Sequence, residues 1–250
     1  MKYRPSFLFV MPLIALVMMG CQFTGVNVNI NRKIVRGEGN VVRQERTVSD
    51  FDALSLSGIG EVVITQGDEE GLTIEGEENL LEYITTEVKG STLEIGTQPN
   101  VNIVPTRDLR FELRVKSLNN ISVSGVSNIT ADALSGEKLE MSVSGAGNVD
   151  IDDLALTTLV VRSSGTGSFT LRGQADTQDI TISGAGNYSA GDLQTRQTTI
   201  KVSGAGNGTV WASETLDVVI SGLGKVEYYG SPSVQKDISG AGSVESRGDK

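Results

Sequence analysis

Histidine is absent from all 250 residues. Without an imidazole the chain can hold neither a Ser-His-Asp nor a Cys-His nucleophile, nor a His-based metal site. Cysteine occurs once, as Cys21, so no disulfide closes within the chain. Aromatic residues make up only 5% and prolines number 5, whereas glycines number 30, a balance that suits many short strands and turns better than long packed helices. Basic residues are the minority too, 21 against 31 acidic. Such a surface repels phosphate backbones and anionic headgroups, and no dense basic cluster occurs anywhere, so nucleic acid is not an expected partner.

Beyond the first 20 residues there is no apolar run long enough to cross a bilayer. Within them, Lys2 and Arg4 precede an apolar stretch of 13 residues, Phe7 to Met19, which has the size of a signal-peptide core. The stretch closes on Met18-Met19-Gly20-Cys21, similar to a bacterial lipobox, although Met18 stands where leucine is usual. Residues 1–20 are therefore expected to be a removed leader, Cys21 the lipidated first residue, and 21–45 a polar tether. The mature chain then carries 19 basic against 31 acidic residues, a formal charge of −12. Contact with a membrane would come through the lipid on Cys21 alone.

What is abundant is a repeat. Ser-Gly-x-Gly-like units start at Ser57, Ser124, Ser144, Ser164, Ser183, Ser203, Ser221 and Ser239, and from Ser124 onward the intervals are 20, 20, 19, 20, 18 and 18 residues. Before each marker serine apolar residues alternate, as in Leu139, Met141 and Val143 or Leu216, Val218 and Ile220, and they resume after it with Val149 and Ile151 or Phe169 and Leu171. Alternation at period two is a strand with one buried face. A unit this short cannot bury that face alone, but stacked copies merge their inward residues into one core. The expected fold is all-β: a parallel β-helix, most simply right-handed, with rungs of about 18–20 residues over residues 46–246 and a polar tail at 247–250. The 67 residues from Ser57 to Ser124 would hold roughly three more units and an insertion.

In this fold the recurring "SGAGN" is a structural corner. Gly145 and Gly147, Gly184 and Gly186, and Gly204 and Gly206 would supply backbone angles open mainly to glycine. The alanine between them (Ala146, Ala185, Ala205, Ala241) would face inward, and Asn148, Asn187 and Asn207, with Asn128, would form an amide ladder along the axis.

Two stretches, "FDALSLSGIGEVVITQGDEEGLTIEGEENLLEYITTEVKGSTLEI" (51–95) and "VEYYGSPSVQKDISGAGSV" (226–244), together with the run of corners between them, resemble the auto-transporter adhesin head GIN domain family of bacterial exported proteins. The resemblance covers about residues 46–246. It implies a pectin-lyase-like β-helix with a role in adhesion and no catalytic residues to carry over.

β-Helices also host polysaccharide lyases and glycosidases, which need a carboxylate cluster, for Ca²⁺ or as an acid/base pair, often with a Lys or Arg. The candidates are Asp150, Asp152 and Asp153 after one corner and Asp68, Glu69 and Glu70 at a turn. Neighbouring rungs place Thr170 and Arg172, Ser189 and Gly191, or Thr209 and Trp211 at the equivalent points, so no acidic cleft is expected to build up. Calcium-binding nonapeptides would need Asp where this repeat has Asn, Ser, Lys or Glu, and phosphate loops would need a helix after the glycines. No cofactor is implied. For glycan or protein binding, the outward aromatic candidates are Trp211 and Tyr229, with Tyr188 and Tyr228 expected inside. Arg247-Gly248-Asp249 matches an integrin-type tripeptide, a coincidence expected of three residues in a polar terminus. The expected function is a non-catalytic, lipid-anchored binding module of the cell envelope. The alternatives are a carbohydrate-active enzyme and a structural component that self-associates through an open end of the stack.

Overall fold

A computed structural model of the chain describes residues 32–250. The expected leader and Cys21 lie outside the described residues. Strands come first in an irregular series: β1 (Lys33–Arg36), β2 (Val41–Arg46), β3 (Ala53–Leu56), β4 (Ile59–Gln66) and β5 (Gly71–Glu77), then the one-turn helix α1 (Glu78–Leu81), then β6 (Ile84–Lys89), β7 (Thr92–Thr97), β8 (Val101–Val104), β9 (Arg110–Val115) and β10 (Asn120–Val123). A regular series follows, with β11 (Val126–Val143), β12 (Ala146–Ser163), β13 (Thr166–Ile182), β14 (Ala185–Val202), β15 (Ala205–Ile220), β16 (Leu223–Tyr229), β17 (Ser233–Ile238) and β18 (Ala241–Ser246). From β10 onward every pairing is parallel, and the whole forms a β-solenoid of about six turns.

The core follows from the period-two pattern. Leu93, Leu54, Ile121, Met141, Val161, Ile180, Ile200 and Val218 stand in register on neighbouring strands, and each is at most 1% exposed. Burying an aliphatic side chain of this size stabilises by about 1.5–3 kcal/mol, so one column already supplies a large part of the driving force. A second column beyond the corner runs Val149, Phe169, Tyr188, Gly208, Val226. Gly208 follows the two rings, and a Cβ there would lie 2.5 Å from Ile200 Cδ1.

The corner glycines are required for a reason other than the expected one. None of Gly145, Gly147, Gly184, Gly186, Gly204 and Gly206 lies in the left-handed backbone region. Instead, a Cβ on Gly145 would sit 1.8 Å from the carbonyl oxygen of Gly125 one coil away, and one on Gly204 would sit 2.0 Å from that of Gly184. Stacked corners approach too closely for any side chain. The alanines correct a second expectation: Ala185, Ala205 and Ala241 are exposed and Ala146 is half-buried. Alternation continues through the corner, so this position shares an outward column with Val126 and Leu223. The asparagines bond along the axis in two pieces. Asn148 Nδ2 donates to Asn128 Oδ1 at 3.2 Å and Asn207 Nδ2 to Asn187 Oδ1 at 3.3 Å, with Ser168 standing between the pieces.

The gap before Ser124 does not hold three rungs. Leu56 pairs with Val123 and Ile59 with Val126, so the coils at Ser57 and Ser124 are immediate neighbours. The intervening residues add one coil on the other side, with β7 beside β3 and β9 beside β4, and then turn antiparallel through β5 with β9 and β6 with β7. Their apolar alternation matches that of a rung, but no glycine corner marks where they dock. β1 and β2 fall largely within the segment expected to be a tether. β2 closes on β5 antiparallel and β1 pairs with β8, so the ordered fold begins by Lys33.

At the opposite end, β17 continues the coil on β15 with no strand beyond it among the described residues. There Lys236 takes the place below Val218 that every earlier coil gives to an apolar residue, and it is exposed. An inward-pointing charge on a terminal strand makes stacking of a further copy costly. Lys236→Val is expected to make the protein associate at concentrations where the unaltered chain does not, read by sedimentation velocity. Identical profiles would show that the charge does not guard this edge.

Candidate functional site

Six and eight residues after each marker serine from Ser144 onward, the strands present two outward sets of positions. One carries Asp150, Thr170, Ser189, Thr209, Glu227 and Glu245; the other carries Asp152, Arg172, Gly191, Trp211, Tyr229 and Arg247. The first set is in register throughout, whereas in the second Trp211 pairs with Tyr229 but Arg172 faces Asp192 and Trp211 faces Gln194. Local departures from the period of the repeat shape the site.

At one end, Arg172 Nη1 donates to Asp150 Oδ1 at 3.0 Å and also to Asp152. The two carboxylates are 51% and 67% exposed, and Asp153 is exposed as well. A general acid needs a carboxyl held protonated in dry surroundings, and these groups are wet and already paired with a guanidinium. Asp68 and Glu69 are exposed at their turn, while Glu70 accepts from the Asp50 amide at 2.9 Å and pairs with Lys116 at 3.6 Å. Among the described residues no group of three His, Cys, Asp or Glu side chains is placed to hold a metal ion.

The aromatic candidates come together. Trp211 and Tyr229 are register partners on β15 and β16, both partly exposed, whereas Tyr188 is buried and Tyr228 packs against the core. β14 bulges between Ala190 and Gln194 on the side of β15, which leaves Gly191 and Asp192 without partners on that strand, although Asp192 still pairs with Arg172 on β13. Gly191 lacks a side chain where one would meet Tyr229 Cε2 and Thr209 Cγ2, each at 3.1 Å. Into this space comes the ammonium of Lys250. It lies 5.0 Å from the Tyr229 ring centre and 5.6 Å from that of Trp211, donates to the Gly191 carbonyl at 2.7 Å and pairs with the Asp192 carboxylate. Each such cation–ring contact contributes about 0.5–1 kcal/mol at an exposed position. The surrounding depression, shared with Thr170, Arg172 and Ser189, is shallow, at about 250 Å³.

The segment that delivers Lys250 is fastened to the last coils. The Arg247 amide donates to the Tyr228 carbonyl at 2.8 Å and the Gly230 amide to the Gly248 carbonyl at 3.0 Å. Arg247 and Lys225 both donate to Glu227, at 2.6 and 2.7 Å, and hold its carboxyl below the usual range. Asp249 accepts from the Ser231 hydroxyl at 2.8 Å. Both charged members of the Arg-Gly-Asp tripeptide thus have partners within the chain.

A longer polar groove of about 490 Å³ crosses five successive strands, β11 to β15, lined by Gly136, Ala155, Gln174, Gln194, Arg196 and Ser213 among others. Arg196 is held there by Glu214 through two bonds of 2.8 and 3.3 Å.

Residues 50–232 match the family described as "Putative auto-transporter adhesin, head GIN domain". Among solved structures, a protein of Bacteroides fragilis titled a putative adhesin is 26% identical, with a TM-score of 0.82, over 85% of this chain and 99% of its own. A Parabacteroides distasonis protein titled a putative lipid binding protein is likewise 26% identical, with a TM-score of 0.71, over 86% of this chain and 99% of its own. A Parabacteroides merdae protein titled a putative adhesin shares the fold at 22% identity and a TM-score of 0.68, over 86% of this chain and 99% of its own. No curated protein matches the sequence.

Proposed function

The chain belongs to the auto-transporter adhesin head GIN domain family, and we propose that it is a non-catalytic binding module of the cell envelope, exported by its leader and anchored through lipid on Cys21. One observation carries the binding reading. The outward face gathers aromatic rings, a carboxylate and a backbone carbonyl around the Lys250 ammonium in an open depression, while the Asp150 and Asp152 carboxylates are exposed and neutralised. Rings beside polar groups recognise ligands without chemistry, and an open face suits a glycan or a protein surface better than a small substrate. A lipid-binding role has less support: the apolar space among Leu56, Ile84, Ile95, Ile103, Leu109 and Phe111 is about 10 Å³, too small for an acyl chain.

The test is a glycan and matrix-protein binding screen with the Cys21→Ser chain, run beside a polysaccharide lyase assay. Saturable binding to at least one surface and no unsaturated product are expected. Turnover of a polysaccharide would overturn the reading. The same variant should also lose the mass of the acyl groups and leave the membrane fraction. A variant that stays membrane-bound and unchanged in mass would remove the anchor from the proposal.

A further inference from the structure

We propose that Trp211, Tyr229, Asp192 and the Gly191 carbonyl form a receptor for a primary ammonium group, that of a lysine side chain presented by a protein partner, and that Lys250 occupies it as an internal competitor. The inference rests on the binding-module reading and adds the ligand's chemistry and the site's regulation.

The parts of the receptor are set by the scaffold and not by Lys250. Trp211 and Tyr229 are fixed by strand register, Gly191 and Asp192 by the bulge in β14, and the missing Gly191 side chain both clears the Tyr229 ring and bares the carbonyl. Ring faces, a carbonyl oxygen and a carboxylate are all acceptors of positive charge. Arg172, the register partner of Asp192 on β13, is bonded instead to Asp150 and Asp152, so among the described residues the cation paired with Asp192 is Lys250. An ammonium satisfies this set with its three donors, whereas a sugar hydroxyl would leave the carboxylate uncompensated. The acidic balance of the chain, −10 overall, favours a basic partner at longer range. Lys250 reaches the site from a segment tied to the coils at Arg247, Gly248 and Asp249, so it competes at the high effective concentration of a short tether.

Trp211 is the only tryptophan, so its fluorescence reports this site alone. The probes are Nα-acetyl-lysine methylamide and its neutral Nε-acetylated counterpart, titrated at physiological salt. In Lys250→Ala protein the amine is expected to change Trp211 emission saturably and the neutral probe not at all. The unaltered chain should need at least fivefold more amine for half-saturation, and adding Asp192→Asn to Lys250→Ala should weaken binding at least fivefold. Absence of a saturable change in Lys250→Ala protein, an equal response to the neutral probe, or equal affinity with and without Lys250 would each overturn the proposal. The binding screen above is read independently: an empty screen with a working amine titration defeats the adhesin reading, and the reverse defeats only this one.

Discussion

Gly165→Ala is expected to abolish cooperative folding of the coils around it, a loss of at least about 4 kcal/mol. The added Cβ would lie 1.8 Å from the Gly145 carbonyl oxygen and 2.8 Å from its carbon, both rigid backbone atoms bonded into the stack. Relief by local movement is blocked, because a Cβ at Gly184 would in turn stand 1.9 Å from the Gly165 carbonyl, so each corner already rests on the next. In a linear array a broken interior interface uncouples the units on either side of it. Gly136→Ala is the control. Its nearest neighbour would be Leu156 Cδ2 at 4.0 Å, and a change within about 0.5 kcal/mol is expected there. Urea unfolding followed by circular dichroism separates the two, and equal midpoints would show that corner contact is not what demands glycine.

The second large effect lies inside the solenoid. Tyr188 Oη donates to Gln178 Oε1 at 2.9 Å, and Gln178 Nε2 donates to the hydroxyls of Thr195 at 3.1 Å and Thr198 at 3.0 Å. All four residues are at most 2% exposed. Gln178→Ala leaves the buried Tyr188 hydroxyl without its partner, takes one bond from each of Thr195 and Thr198, which keep each other, and leaves a hole, so about 3 kcal/mol should be lost. Tyr188→Phe leaves only the Gln178 oxygen unpaired, and about 1–3 kcal/mol is expected. Burial pushes the Tyr188 phenol above its ordinary range. The folded state therefore keeps a proton that the unfolded chain releases near pH 10, and stability is intact below that pH. Above it stability falls by up to about 1.4 kcal/mol per pH unit until the folded phenol itself titrates. The stability difference between the native chain and Tyr188→Phe should shrink as pH rises from 10 to 11. A constant difference would place the proton's effect elsewhere.

Much of this architecture is legible in the primary structure because each coil repeats one instruction, an apolar residue at every second place around a glycine pair. The polar cluster was legible too. Gln178 and Thr198 stand five residues before successive markers, where other coils carry Leu139 and Leu216, and two polar residues at one inward position on adjacent coils predict a bond between them. Trp211 and Tyr229 fall together by the same count from their markers. What stayed hidden lies where the period breaks. The bulge at Gly191 and the approach of Lys250 belong to no repeat. The docking of β7 and β9 depends on register, which apolar alternation alone leaves open. The alanines face outward because the alternation runs straight through the corner, and an even count from an outward marker serine stays on the solvent side.

The placement of the coil formed by β3 and β4 also constrains the order in which the chain can acquire structure. Its neighbours on both sides come later in the sequence: Leu54 waits for Leu93 on one side and for Ile121 on the other, whereas Met141 needs a partner only 20 residues on. Closing these longer loops costs more entropy and comes late, so segments from Asn120 onward can zip together while residues 53–66 are still unpartnered. Residues 53–66 can therefore complete their pairing only after both later-sequence neighbours, 92–95 with 110–115 and 120–131, have been made.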